Sequence, residues 1–336
     1  VGSEMCIRDR SMPNEMEELE FYLKKAKQVV YEVKKTVVGK DEAICKLLMA
    51  ILAKGHILIE DIPGVGKTTM ALAFSKALGL ECNRLQFTPD IMPSDLTGFN
   101  LYNRQTGQFE YKPGAVLCNI LLADEINRTS PKTQSALLEV MEERRVTVDS
   151  QSIELPKPFM VMATQNPFGS IGTQKLPESQ LDRFMIQISL GYPTVEDEIA
   201  ILKNKTNGSP KIISEKVLTA EELMAMQAYV EQIYVDDRVY DYVARIAKAT
   251  RNSPEILQGI SPRGSIAVLA IAKAEAFLRG HTYVLPSDIQ YVLMDAAAHR
   301  IIVDNGLRNG NVTAETALKN VLETVSVPKL DVKRVV

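Results

Sequence analysis

Long apolar runs are missing from this chain. No stretch approaches the roughly 18 uninterrupted apolar residues that a membrane-crossing helix requires. An excess of either charge is missing too: 39 Lys and Arg stand against 42 Asp and Glu, a net charge of -3. A chain so near neutrality carries no global basic field, which argues against a dedicated nucleic-acid coat or a membrane-surface binder. Histidine and cysteine are scarce. Three histidines, His56, His281 and His299, are too scattered to suggest a zinc set unless folding gathers distant ligands. Four cysteines, Cys6, Cys45, Cys82 and Cys118, lack C-x-x-C spacing and read as buried free thiols of a reducing compartment. No basic-flanked apolar segment with a cleavage site opens the chain, so a secretory signal is not expected. The expectation is a cytoplasmic protein with no integral membrane segment.

What is present is ordinary for a globular chain: 336 residues, 46% hydrophobic and 24% charged. At roughly 150 residues per domain this length suggests two domains. Residues 1–11, beginning VGSEMCIRDR, start on Val, show no period and precede Met12. They resemble translated adapter sequence and read as a non-native extension. Residues 12–35 read as an N-terminal helix, with Leu19, Leu23, Ala26 and Val30 at three- and four-residue spacing. A second helix is expected near Asp41 to Lys54.

Between 36 and 191 short apolar runs alternate with helical segments. The runs at His56–Glu60, Arg84–Phe87, Ile120–Ala123, Phe159–Ala163 and Phe184–Ile188 read as buried strands. The fold class is therefore α/β, with a mainly parallel sheet sandwiched between helices. Two segments read as hairpins instead, Phe99–Tyr102 with Gln108–Tyr111 and Arg145–Val148 with Ser152–Leu155. The aromatics Phe99, Tyr102, Phe109 and Tyr111 either form cross-strand pairs or face a pore or partner. From about 192 to 336 strand signals fade and an all-helical domain is expected. Thr219 with Glu222 and Ser287 with Gln290 fit the capping box. Ser261-Pro262 opens a helix that Gly280 closes.

Chemistry concentrates in the first of these domains. Gly64-Val65-Gly66-Lys67-Thr68 stands between a strand and a helix, where backbone amides and the helix dipole favour phosphate oxygens. Lys67 would reach the β and γ phosphates and the Thr68 hydroxyl would ligate Mg²⁺. The usual pattern places glycine five positions before Gly66, and this chain has Asp61 there. The run Ile120–Ala123 ends in Asp124-Glu125, a pair suited to outer coordination of Mg²⁺ by Asp124 and to polarisation of an attacking water by Glu125. Asn166 either orients that water or is a turn-forming Asn before Pro167. Arg263 opposes the dipole of its own helix start, which a nearby anion would explain; a solvated side chain is the other reading. Arg183 is either a finger offered to a neighbouring subunit or an ion pair with Asp182.

Together these segments resemble the MoxR family of AAA+ ATPases from about Val37 to Pro328. The similarity rests on EDIPGVGKTTMA (60–71), LQFTPDIMPSDLTG (85–98), FEYKPGAV (109–116) and ADEINRTSPKTQSALLEVMEERRVTV (123–148). FMVMATQNP (159–167), LPESQLDRF (176–184) and SPRGS (261–265) follow in the family's order. The resemblance implies a P-loop core at 36–191 and a helical lid at 192–336. It implies a Walker A element of Pro63, Gly64, Val65, Gly66, Lys67, Thr68 and Thr69, with Asp124 and Glu125 as Walker B. Asn166 would be sensor 1, Arg263 sensor 2 and Arg183 the arginine finger, with Gly39 near the adenine. Arg263 is then expected to reach across the interdomain cleft to the γ phosphate. The role of Arg128 stays open between an ion pair and catalysis.

The implied activity is hydrolysis of ATP with Mg²⁺ in a ring, commonly a hexamer, that remodels or activates a protein client. Such clients often carry a von Willebrand factor A domain, and metal insertion is a recurring theme. A magnesium-chelatase-type motor subunit shares the fold. An ATP-gated scaffold with little turnover is the alternative of another class, and near-neutral charge disfavours a nucleic-acid motor.

Overall fold

The computed structural model describes residues 12–62, 64–166, 176–206, 212–304 and 312–330. The extension read at 1–11 lies outside them. The N-terminal part runs α1 (Met12–Thr36), α2 (Asp41–Leu52), β1 (Ile57–Glu60), α3 (Lys67–Ala77), β2 (Cys82–Gln86), α4 (Pro93–Thr97), β3 (Phe99–Asn103) and β4 (Gln108–Lys112). It continues through β5 (Ile120–Asp124), α5 (Pro131–Glu143), β6 (Arg145–Val148), β7 (Gln151–Glu154), β8 (Met160–Gln165), α6 (Glu178–Leu181) and β9 (Ile186–Ile188). The C-terminal part comprises α7 (Val195–Thr206), α8 (Ala220–Glu231), α9 (Asp237–Asn252), β10 (Ile256–Gln258), α10 (Pro262–Leu278), α11 (Pro286–Ala297), β11 (Ile302–Val303) and α12 (Ala314–Thr324).

Five strands form one sheet in the order β2-β5-β8-β1-β9, every pair parallel. Near-continuous apolar runs are what a sheet covered on both faces requires. Alternate residues of β1 enter different cores: Ile57 and Ile59 join the cluster that includes α1, α2 and α3, while Leu58 joins that of α5. Each fully buried Leu or Ile contributes about 1.5–3 kcal/mol. In α1 the buried stripe is Leu19, Ala26, Val29 and Val33, with Leu23 and Val30 half-buried at its edge. Both expected hairpins form, as β3–β4 and β6–β7. On the first, Tyr102 and Phe109 pair edge-to-face at 5.3 Å and both remain exposed. They are a cross-strand pair and an open apolar surface at once.

The C-terminal part departs from expectation in two places. It is not purely helical: β10 and β11 pair antiparallel. And Ser287 does not cap α11. Pro286 already occupies the first helical position, so the cap falls on Leu285, whose amide donates to Asp288 Oδ2 at 2.8 Å. Gln290 reaches the Tyr242 hydroxyl instead, at 3.0 Å. The other caps form as read. The Thr219 hydroxyl accepts from the Glu222 amide at 3.2 Å while Glu222 accepts from the Thr219 amide at 2.9 Å. Ser261 caps α10 and Gly280 follows it at φ +80°. Among the described residues no helix is long and apolar enough to cross a membrane.

In a parallel sheet every strand ends on the same side, and the chain must turn there into a helix or loop. The carboxyl ends of β1, β5 and β8 therefore lie side by side, and the candidate catalytic residues follow from those ends.

Candidate active site

The turn after β1 leads directly into α3. Gly64 and Gly66 hold φ of +89° and +95°, a region closed to most side chains, and an added Cβ at either would project into open space. A bare backbone at a helix start with open space before it is suited to bind an anion. Lys67, the first residue of α3, is buried, and its ammonium donates to the Asp61 carbonyl at 2.9 Å. Burial pushes its pKa down, while Asp124, Asp61 and Glu125 oppose the shift and favour the charged form. Gly64, Gly66, Lys67, Thr68 and Thr69 line one open depression of about 410 Å³ together with Arg84, Gln86, Asp124 and Glu125. Val65 is half-buried against the core beneath the loop, and Pro63 lies outside the described residues.

The departure at Asp61 has a structural use. Its buried carboxylate accepts from the amides of Leu190 and Gly191, the latter at 3.1 Å, and from the Ser189 hydroxyl at 3.2 Å. The phosphate loop is thereby tied to the segment that leaves β9 for the C-terminal domain. Lys40 binds the same segment from the other side, donating to the carbonyls of Gly191 at 2.9 Å and Tyr192 at 3.0 Å. Gly39, at φ +74°, packs so closely on Asp197 of α7 that a Cβ would lie 2.0 Å from Oδ2. It stands beside this linker rather than among the residues lining the depression.

Across the depression, Asp124 ends the fully buried β5 and Glu125 follows at φ +57°, a left-handed conformation that costs a non-glycine residue energy and recurs at functional positions. Thr164 of β8 fixes both acids: its hydroxyl donates to Asp124 Oδ1 at 2.6 Å and accepts from the Glu125 amide at 2.9 Å. Arg84 of β2 donates to Asp124 Oδ2 at 2.7 Å and to Gln86 Oε1 at 3.1 Å. Gln86 in turn donates to Glu125 Oε2 at 2.9 Å, and Arg128 does so at 2.8 Å. The Arg128 pair is local, three residues along the chain from Glu125, rather than between strands. Thr164, Arg84 and Gln86 escaped the sequence reading because strand side chains carry no motif; only the register β2-β5-β8 places them against the acids. Asn166 follows the end of β8, and its carbonyl accepts from Asn127 at 3.4 Å.

The two remaining arginines gather elsewhere. Arg183 donates to Glu142 Oε2 at 2.9 Å and to the Leu138 carbonyl at 3.0 Å, both on α5. Arg263 bonds the other oxygen of the same Glu142. Asp182 is engaged differently, by the buried Arg300 at 2.6 Å and the Ser261 hydroxyl at 2.9 Å. Of the two readings of Arg183, the ion pair with Asp182 does not form; Arg183 pairs with Glu142 instead. Glu142 is also the anion that the helix start at Arg263 called for. Neither arginine lines the phosphate depression: both border a separate hollow with Lys54, His56 and Arg300. In this structure α10 begins against the end of α5, so Arg263 meets Glu142 rather than the phosphate depression of its own subunit.

Comparison with known proteins agrees with this geometry. Residues 56–186 match the family described as "ATPase family associated with various cellular activities (AAA)", and 248–321 match the AAA lid domain. The chain is 45% identical to the protein YeaC of Bacillus subtilis over 90% of this chain and 94% of that one. It is 37% identical to Chaperone MoxR1 of Mycobacterium tuberculosis, over 90% and 82%. A crystal structure of a Cytophaga hutchinsonii protein, 36% identical, superposes with a TM-score of 0.89 over 95% of this chain and 99% of that one. With a phosphate loop and paired acids facing one depression, and with relatives matched over nearly their whole length, this chain belongs to the MoxR family of AAA+ ATPases.

Proposed function

We propose that the chain hydrolyses ATP with Mg²⁺ and spends the energy on remodelling a protein client within a ring. The observation that carries this reading is the single depression shared by Gly64, Gly66, Lys67, Thr68, Asp124 and Glu125. The loop amides and Lys67 would bind the phosphates, Lys67 leaving the Asp61 carbonyl to do so. The donors fit a hard cation: the Thr68 hydroxyl and the Asp124 carboxylate both bring oxygen to the one depression, as Mg²⁺ prefers. Bound there, Mg²⁺ would neutralise charge on the phosphate oxygens. Glu125 accepts the proton of the attacking water. Asn166, at the adjacent strand end, orients that water, and the segment around Gly39, beside the linker that Asp61 holds, receives the base.

Arg183 and Arg263 then serve a neighbouring subunit, since both stand together away from their own phosphate loop. This supports a ring, commonly a hexamer in the resembling family. The name of the Mycobacterium tuberculosis relative, a chaperone, supports a protein client, and a von Willebrand factor A domain is the client class proposed. The exposed Phe99, Leu101, Tyr102 and Phe109 of the β3–β4 hairpin offer an apolar face to a client or neighbour.

Two variants test the core of this reading. Glu125→Gln keeps ATP binding and loses about 10²–10⁴ in turnover, the contribution of a positioned base. Lys67→Ala loses binding itself. Near-normal phosphate release from Glu125→Gln, or unchanged ATP affinity in Lys67→Ala, overturns it.

A further inference from the structure

Asp124 has two carboxylate oxygens, and both are taken. Oδ1 accepts from the buried Thr164 hydroxyl, a fixed contact between neighbouring strands. Oδ2 carries the guanidinium of Arg84, which also lines the depression, at 2.7 Å. A divalent cation brought to Asp124 Oδ2, directly or through a water, stands next to the guanidinium, and repulsion between the two positive charges favours the arginine's departure. The arginine is free to leave: its side chain is 51% exposed against 12% for Asp124. A 2+ ion would repel the guanidinium it displaced, and the strongest new anion within the same depression would be the terminal phosphate of a nucleotide. The planar fork of arginine suits phosphate oxygens better than an ammonium does. Arg183 and Arg263 do not line this depression, so among the described residues Arg84 is the arginine that does.

We propose that Arg84 is an exchanged counter-cation: it holds Asp124 when the pocket is free and passes to the terminal phosphate of a bound nucleoside triphosphate. The proposal deepens, and rests on, the reading of the depression as a Mg²⁺-nucleotide site. A diphosphate gives Arg84 no such partner, so its side chain makes the pocket favour triphosphate over diphosphate within one subunit. The exchange also withdraws the guanidinium from Gln86, whose amide sits on Glu125. Gln86 then loses one of the contacts that hold its amide against Glu125.

The test is calorimetric titration of the full chain with a non-hydrolysable ATP analogue and with ADP, each with Mg²⁺. In Arg84→Ala the triphosphate is expected to weaken by about tenfold to a hundredfold, the loss of a charge-assisted hydrogen bond to phosphate. ADP is expected to bind as before or more tightly, because Asp124 is released to the metal. Arg84→Lys restores part of the triphosphate preference, since it keeps the charge without the fork. A merely structural role would weaken both ligands alike; that result, or an unchanged ratio, overturns the exchange while leaving the nucleotide site standing. If the unaltered chain binds neither ligand, the nucleotide reading of the depression falls, and the exchange with it.

Discussion

At the scale of single residues, the glycine turn before α3 was legible because its determinants are local. Gly64, Gly66, Lys67 and Thr68 act through backbone angles and a helix start that neighbours in sequence create. Asp61 shows the limit of that legibility. As a pattern it is a departure from glycine; in the fold its carboxylate receives two amides and a hydroxyl from a segment some 130 residues away. No local rule announces a partner at that distance. Asp61→Gly restores the common pattern yet should destabilise the chain by about 2–4 kcal/mol, since buried amides at Leu190 and Gly191 lose a charged acceptor. Urea unfolding of the variant checks this, and a midpoint equal to or above that of the unaltered chain would contradict it.

Whole elements were legible where apolar period and punctuation agreed. The strands of the sheet, both hairpins, and the caps at Thr219 and Ser261 follow from alternation, turn residues and hydroxyls before helices. The cap at Leu285 did not, because an apolar residue bears no capping side chain and Asp288 does the bonding from inside the helix. The pair β10–β11 was invisible for a different reason: two- and three-residue strands are too short to show a period. Contacts between elements stayed hidden as well, and His56 is one. Its Nδ1 accepts from the Val161 amide of β8 at 3.0 Å, so Nε2 carries the proton and donates to the Met141 carbonyl of α5 at 2.9 Å. Burial pushes its pKa down to about 4, and that of His299, bonded to the Phe184 carbonyl, down to about 3, against an ordinary 6.5. Below pH 6.5 the unfolded chain takes up protons that these two imidazoles refuse in the fold. Stability should therefore be unaffected by them above that pH and fall as pH drops toward 4, by up to about 1.4 kcal/mol per pH unit for each histidine. Urea titrations at about pH 7.5 and pH 5 measure the slope. His56→Gln should be less stable throughout but lose about one proton's worth of that slope; an unaltered slope refutes the assignment.

At the scale of the whole molecule, the candidate catalytic set is divided between two places, with the Gly64–Thr68 turn and the acids on one depression and both arginines on another hollow. If hydrolysis needs an arginine supplied from outside, activity rises more than linearly with protein concentration. Arg183→Ala and Glu125→Gln, each nearly inactive alone, should recover activity when mixed, because a joint assembly can set an intact Glu125 beside an intact Arg183. An arginine so supplied is worth about 10³–10⁵ in rate in related chemistry. No recovery in assemblies that demonstrably contain both variants would place Arg183 outside the reaction. Glu142 gives that division a kinetic meaning. One carboxylate engages an arginine from each domain within the same chain; if these arginines serve a neighbour's phosphate, it would be a tethered decoy for that phosphate. Tethered groups compete at effective concentrations in the millimolar range. What the neighbour's nucleotide gains from these arginines is then only its margin over the decoy, and weakening the decoy with Glu142→Gln should move the concentration curve of hydrolysis to lower protein.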